Sequence, residues 1–128
     1  MKRTILLLAF LLTMTVGSAG NINYRDTVAK TIAVVNDYWQ AHHSADSPAF
    51  WNWAAYHTGN MEAYRLLGCQ RWLDYSERWA DHNAWSGATE KDPARWTYRK
   101  YGEDQQHVLF ADWQICFQTY IDLYNIRH

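Results

Sequence analysis

This chain contains two similar segments separated by one fixed offset, which limits the folds that it can adopt. Asn52-Trp53 is echoed by Asp112-Trp113, and residues 61–64 are echoed by residues 121–124. Both echoes lie 60 positions apart (113 minus 53 and 124 minus 64). A constant offset of this length predicts a repeated helical hairpin, and such units bury their apolar faces by stacking on their neighbours. We therefore predict an all-α chain of stacked hairpins. Because two hairpins do not close a ring, we expect it to be the front part of a larger fold.

The first 20 residues have the order of features typical of a secretory signal peptide. Lys2 and Arg3 precede an apolar run at 5–12, and small residues follow at 17–20. The run is shorter than the roughly 20 residues that a transmembrane helix needs. We therefore expect a secreted or periplasmic protein without a membrane anchor, and we leave residues 1–20 out of the fold.

Composition limits the possible partners. Without Lys2 and Arg3, 10 basic residues (12 minus 2) face 13 acidic ones, which gives a net charge of −3. No basic stripe is present, so nucleic acid is not an expected partner. The chain is 16% aromatic, and aromatic rings serve both as core filling and as platforms for sugars. No Cys/His spacing suggests a metal site, and the repeat does not place Cys69 beside Cys116 for a disulfide.

Apolar spacing predicts four helices, at residues 26–40, 49–67, 71–83 and 112–124. The first has Val28, Ile32, Val35 and Trp39 on one face. Gly68 is placed to end the second helix. Gly59, inside the second helix, suggests that a backbone or a ligand approaches closely there.

A long loop is predicted between the third and fourth helices, at residues 84–110. It contains Gly87, Pro93 and Gly102 and has no sustained period. Long loops in compact domains are usually functional or disordered. Its aromatic residues argue against disorder; they are Trp85, Trp96, Tyr98 and Tyr101. We expect this loop to fold over another part of the molecule.

Asp112 is the strongest candidate for a catalytic carboxylate. As the first residue of the predicted fourth helix, it would be stabilised in its ionised form by free backbone N–H groups and the helix dipole. An ordinary N-cap aspartate gives the same pattern, so that alternative stays open. Its repeat partner, Asn52, occupies the same end of the second helix. In a ring of hairpins such helix ends converge on one rim.

Three more polar residues are candidates for substrate contact. Tyr56 and His57 lie one turn beyond Asn52, although a histidine on an aromatic face is more often a hydrogen-bonded core residue. Gln118 lies among aromatic residues, where its amide either fixes the packing or contacts a sugar hydroxyl. Phosphate-loop, dinucleotide and serine-hydrolase motifs are absent from the sequence.

Residues 50–64 and 112–124 resemble the N-terminal part of glycoside hydrolase families 88 and 105, the unsaturated uronyl and unsaturated rhamnogalacturonyl hydrolases. The resemblance extends over residues 26–125. It implies an (α/α)6 toroid whose central pocket binds oligosaccharides that end in a 4,5-unsaturated uronic acid, as released from pectin or rhamnogalacturonan by lyases. The family hydrates this double bond without a metal or organic cofactor, and the resulting hemiketal opens and releases the neighbouring sugar.

The resemblance also assigns roles to residues. Asp112 matches the first active-site carboxylate, Tyr56 and His57 match the pocket wall, and we add Asn52 and Gln118 as substrate contacts. The family's second aspartate would lie beyond residue 128, so residues 21–128 are expected to be the incomplete N-terminal part of the catalytic domain. Two alternatives remain, a non-catalytic carbohydrate-binding helical module and another carbohydrate enzyme on the same toroid, such as an epimerase or lyase.

Overall fold

The computed structural model describes residues 23–98 and 102–128. The predicted signal peptide at 1–20 lies outside these residues. The described chain confirms the all-α prediction, with one isolated bridge between Thr97 and His107 in place of any strand. Its four α-helices are α1 (Tyr24–His42), α2 (Trp51–Leu67), α3 (Gln70–His82) and α4 (Cys116–Arg127). Two 3-10 turns, Pro93–Arg95 and Ala111–Trp113, lie in the connection before α4.

Helices α2 and α4 pack side by side in parallel. The hydroxyls of Thr58 and Thr119 lie 3.4 Å apart, and the Arg65 guanidinium lies 2.6 Å from the Asp122 carboxylate. The two pairs are separated by 61 and 57 positions (119 minus 58 and 122 minus 65). A nearly constant separation along both helices requires a parallel arrangement. The 60-residue repeat in the sequence therefore corresponds to a shift from one helix to its neighbour.

Helices α1 and α3 form a second layer and run antiparallel to α2. From Tyr56 to Asn60 on α2, the partners on α1 run backwards from Gln40 to Asn36. On α3, Ser76 bonds to His57 and the Trp72 carbonyl bonds to Asn60, which is the same reversed order. The core lies between the layers. Its largest fully buried apolar side chains are Trp79, Met61, Leu73 and Leu123.

Asn60 is a buried polar junction between three helices. The Asn36 amide of α1 donates to Asn60 Oδ1 at 2.6 Å. Asn60 Nδ2 in turn donates to the Trp72 carbonyl at 2.6 Å and to Ser76 Oγ at 2.7 Å on α3. Buried polar groups require such partners. Every hydrogen-bonding atom of the Asn60 side chain is therefore used to connect α2 to its neighbours.

This junction explains why the predicted apolar face of α1 is only partly right. Val28 and Val35 are 36% and 63% exposed, whereas Asn36 is buried. Ile32 and Trp39 remain half-buried. The helix is rotated so that Asn36 meets Asn60. An unpaired amide at the interface would cost more free energy than burial of the two valines would gain.

Of the predictions made for the two glycines in and directly after α2, one is confirmed and the other is wrong in part. Gly68 has φ 69° and ends α2 in the left-handed conformation, as predicted, with its N–H bonded to the Tyr64 carbonyl at 2.7 Å. At Gly59, an added Cβ would meet no described atom within 4 Å. The expected close backbone approach is therefore wrong for residues 23–98 and 102–128, and an approach by a ligand stays a prediction.

The loop before α4 is anchored at several points. Ala88 N–H bonds to the Trp113 carbonyl at 2.9 Å, and Glu90 N–H bonds to the Gln105 carbonyl at 3.0 Å. Cys116 is buried and is not bonded to Cys69. Across the part of the chain that the structure describes, no helix combines the length and apolar character that a membrane span requires.

Asn60 gives a test of the polar junction. We expect Asn60→Leu to lower the free energy of unfolding by about 2–4 kcal/mol, because it strands the polar groups of Asn36 and Ser76 in the core. Urea unfolding followed by circular dichroism measures the change. The control is Asn125→Leu on the exposed face of α4, which should shift stability by less than about 0.5 kcal/mol. Equal effects of the two substitutions would contradict the role of the junction.

Candidate active site

The N-terminal ends of α2 and α4 meet at one edge of the molecule. Phe50, which precedes α2, packs against Trp113, which precedes α4, with ring centroids 4.3 Å apart. This contact continues the parallel register of the two helices to their starts. We call this edge the α2/α4 rim, and define it by Phe50, Asn52, Asp112, Trp113 and Gln118.

Asp112 lies on this rim but not at the start of α4. The prediction that the last helix begins at Asp112 is wrong, because Asp112 belongs to the 3-10 turn Ala111–Trp113 and α4 begins at Cys116. Gln114, at φ −123° and ψ −12°, separates the turn from the helix. The turn is held in place by its tertiary contacts to Phe50 and Ala88. These contacts outweigh the local preference for continuous helix.

The position of Asp112 is not that of a cap of α4. The residue that caps α4 is Ile115, so Asp112 is not an ordinary N-cap and does not act at the end of the α4 dipole. Its side chain is half-buried, and no hydrogen bond or ion pair joins its carboxylate to another residue of 23–98 or 102–128. A half-buried carboxylate without a structural partner here remains available to a ligand.

Asn52 and Gln118 lie at the same end of the molecule as Asp112. Asn52 is the second residue of α2, Gln118 is the third residue of α4, and both are exposed. Each amide offers donors and an acceptor to a polar ligand. Three of the five predicted site residues therefore lie at or just before the N-terminal ends of the parallel helices α2 and α4.

Tyr56 faces α1. Its hydroxyl donates to Asn36 Oδ1 at 2.6 Å and accepts from Gln40 Nε2 at 3.1 Å. Its ring stacks on Trp39, with centroids 4.5 Å apart. Burial raises the pKa of the Tyr56 phenol above its usual value, so the hydroxyl stays protonated. Tyr56 also lines an apolar groove of about 330 Å³ between α1 and α2, which we call the α1/α2 groove.

His57 faces α3 and lies in the core. Its ring stacks on Trp79 with centroids 4.0 Å apart and on Tyr75 at 5.5 Å. Nδ1 lies 2.9 Å from Ser76 Oγ, and the residue is 1% exposed. Burial lowers the pKa of His57 to about 3, so its imidazole is neutral. In the described structure His57 is a packing residue without a surface for a sugar.

One feature of the rim was not identified from the sequence. Gly87, in the loop, lies so close to the turn before α4 that an added Cβ would be 2.8 Å from the Trp113 carbonyl oxygen. The signal available in the sequence was a glycine inside an aromatic loop. It did not indicate which segment the glycine would contact.

Comparison with known proteins identifies similarity to one family over most of the chain. The family model described as Glycosyl Hydrolase Family 88 matches residues 23–128. A solved structure titled glycosyl hydrolase family 88 from Bacteroides vulgatus is 46% identical with a TM-score of 0.70, over 79% of this chain and 29% of that chain. A second, titled polysaccharide lyase, is 51% identical with a TM-score of 0.69, over 79% and 28%. This chain thus spans less than a third of the length of either structure. No protein of curated function matches it.

The buried state of His57 predicts a pH dependence of stability. Below a pH of about 6.5 the unfolded chain binds a proton at His57 that the folded protein does not bind until about pH 3. Stability therefore falls as the pH is lowered through this range, by about 2 kcal/mol between pH 6.5 and pH 5. We expect His57→Phe, which keeps an aromatic ring in the stack, to remove this part of the slope in urea unfolding.

The matched control is His42→Phe at the exposed end of α1, which should leave the contribution of His57 in place. An unchanged slope in His57→Phe would show that His57 is not held neutral by burial.

Proposed function

Because this chain belongs to glycosyl hydrolase family 88, we propose that the protein is a glycoside hydrolase that acts on unsaturated uronyl oligosaccharides from pectin or rhamnogalacturonan. The observation that carries the proposal is the position of Asp112. Its half-buried carboxylate lies at the rim where two parallel helices begin, and it forms no ion pair with a described residue. The all-helical arrangement is that of the helical toroid of the family.

The proposed reaction adds water across the C4=C5 bond of the terminal uronic acid. A proton is delivered to C4 and the hydroxyl of water is added to C5, which gives a hemiketal. The hemiketal opens to a ketone at C5, and the neighbouring sugar is released from C1. In this scheme Asp112 transfers the proton or orients the water, which is the work of a general acid or base. The scheme needs neither a metal nor an organic cofactor.

Asn52 and Gln118 are the substrate contacts that we propose beside Asp112. Both amides are exposed within the first turn of their helices, at the same end as Asp112. An amide donates to a carboxylate and both donates to and accepts from a hydroxyl, and a uronic acid carries both groups. In this proposal Tyr56 and His57 hold α2 in position and do not contact the substrate. Tyr56 packs α2 against α1, and His57 packs it against α3. Export of the protein is proposed on the basis of residues 1–20 alone.

A second candidate function is that of a polysaccharide lyase, because one similar structure carries that title at 51% identity. A lyase forms the same double bond that the proposed hydrolase removes: a base takes the proton from C5 of a uronic acid, the C4–O bond breaks, and the sugar attached at C4 leaves with a proton on its oxygen. A carboxylate such as that of Asp112 can also act as this base. The two activities therefore change the ultraviolet absorbance of the conjugated double bond in opposite directions.

Asp112→Asn in the full-length protein tests the proposed role. The substitution removes the proton-transfer group while keeping the shape of the side chain. We expect turnover of an unsaturated galacturonyl-rhamnose disaccharide, followed as loss of ultraviolet absorbance, to fall about 10²- to 10⁴-fold. Substrate affinity should change much less, because the amide retains hydrogen bonding.

Asp26→Asn is the matched control. Asp26 is exposed in the first turn of α1, so this variant should keep wild-type turnover. Wild-type turnover in Asp112→Asn would exclude a catalytic role for this residue. A rise in absorbance on intact polysaccharide, without turnover of the unsaturated disaccharide, would favour the lyase. Binding without any change in absorbance would favour a non-catalytic module.

A further inference from the structure

Gly87 lies where the loop before α4 contacts the turn that contains Asp112. A Cβ atom at this position would be 2.8 Å from the Trp113 carbonyl oxygen and 3.2 Å from the Phe117 ring. Real Cβ atoms essentially never approach another heavy atom within 3.0 Å. The first contact is with backbone, which cannot rotate away as a flexible side chain can. Any larger residue at this position must therefore displace the loop or the turn.

The loop is bonded to α4 on one side of Gly87 and to the turn before α4 on the other. The Ser86 carbonyl accepts from the Tyr120 hydroxyl at 3.2 Å. The Ala88 N–H donates to the Trp113 carbonyl at 2.9 Å. These two bonds bring the glycine against the turn, so a side chain at position 87 would stretch one of them or displace the turn.

The same turn is held from its other side by α2. The Trp113 ring packs on Phe50, at the start of α2, with centroids 4.3 Å apart. The Trp113 N–H bonds to the Phe110 carbonyl at 3.2 Å, which closes the turn around Asp112. Asp112 thus lies in a short segment that is held by the Trp113 carbonyl on the loop side and by the Trp113 ring on the α2 side.

We propose that Gly87 is a positioning residue that sets the place of the Asp112 carboxylate on the α2/α4 rim. The inference rests on the proposed function, because it assigns Gly87 a role in the reaction of Asp112. Its physical basis is the sensitivity of proton transfer to geometry, since a misplacement of about 1 Å can cost about 10²-fold in rate. A methyl group at position 87 would move the turn without touching the substrate.

Gly87→Ala in the full-length protein is the test. We expect kcat on the unsaturated disaccharide to fall about 10- to 100-fold with little change in KM, because Asn52 and Gln118 lie outside the displaced turn. In the Asp112→Asn background the same substitution should cost almost nothing, because there is no longer a catalytic carboxylate to misplace. A loss that multiplies fully with that of Asp112→Asn would overturn the inference, because a general folding defect behaves in that way.

Ser86→Ala is the matched control in the same loop. The Ser86 side chain is exposed and bonds only to the Ala84 carbonyl, at 3.3 Å, so its removal leaves the backbone bonds of the loop in place and turnover should stay close to that of the wild type. A loss equal to that of Gly87→Ala would show that the loop as a whole, and not the contact to Trp113, matters for the rate.

A second measurement keeps the inference separate from the proposed function. Hydrogen exchange at the Ala88 amide reports its bond to Trp113 whether or not the protein turns over any uronide. We expect slow exchange in the wild type and faster exchange in Gly87→Ala, both at Ala88 and in residues 111–114. If the wild type is inactive on every unsaturated uronide, the function fails. If Gly87→Ala leaves the exchange at Ala88 unchanged, the positioning role fails.

Discussion

The parallel contact between α2 and α4 determines which segments of the chain meet at the rim. Its two polar pairs, Thr58 with Thr119 and Arg65 with Asp122, keep the helices in register along their length. Asp122 is buried, so its charge requires the Arg65 partner, and a shift of α4 by one turn would break this ion pair. Because the register is fixed, the segments before both helices meet, and the Phe50–Trp113 contact follows.

The second layer orients α2 rather than contributing directly to the rim. Asn60 connects α2 to both α1 and α3, and His57 and Tyr56 face these two helices with satisfied hydrogen bonds. The face of α2 that remains carries Asn52 in its first turn. The same helix thus separates its structural polar residues from the residue that we propose contacts the substrate.

The sequence predicted the parts of the structure that depend on local pattern or on the 60-residue repeat. The bodies of the four helices follow from apolar spacing, the parallel pair follows from the repeat, and the end of α2 follows from Gly68. The errors arise where a distant partner decides. The rotation of α1 depends on the pairing of Asn36 with Asn60, 24 positions away. The start of α4 depends on the Ala88 bond to Trp113, which no periodicity can reveal.

Sugar chemistry at the α2/α4 rim can be tested with a crystal structure of the full-length Asp112→Asn variant bound to an unsaturated galacturonyl-rhamnose disaccharide. We expect the C4=C5 bond to lie within about 3–4 Å of the side chain at position 112, or one water molecule further away, with Asn52 or Gln118 bonded to the uronic acid. A disaccharide bound instead in the α1/α2 groove, beside Tyr56 and remote from position 112, would contradict it.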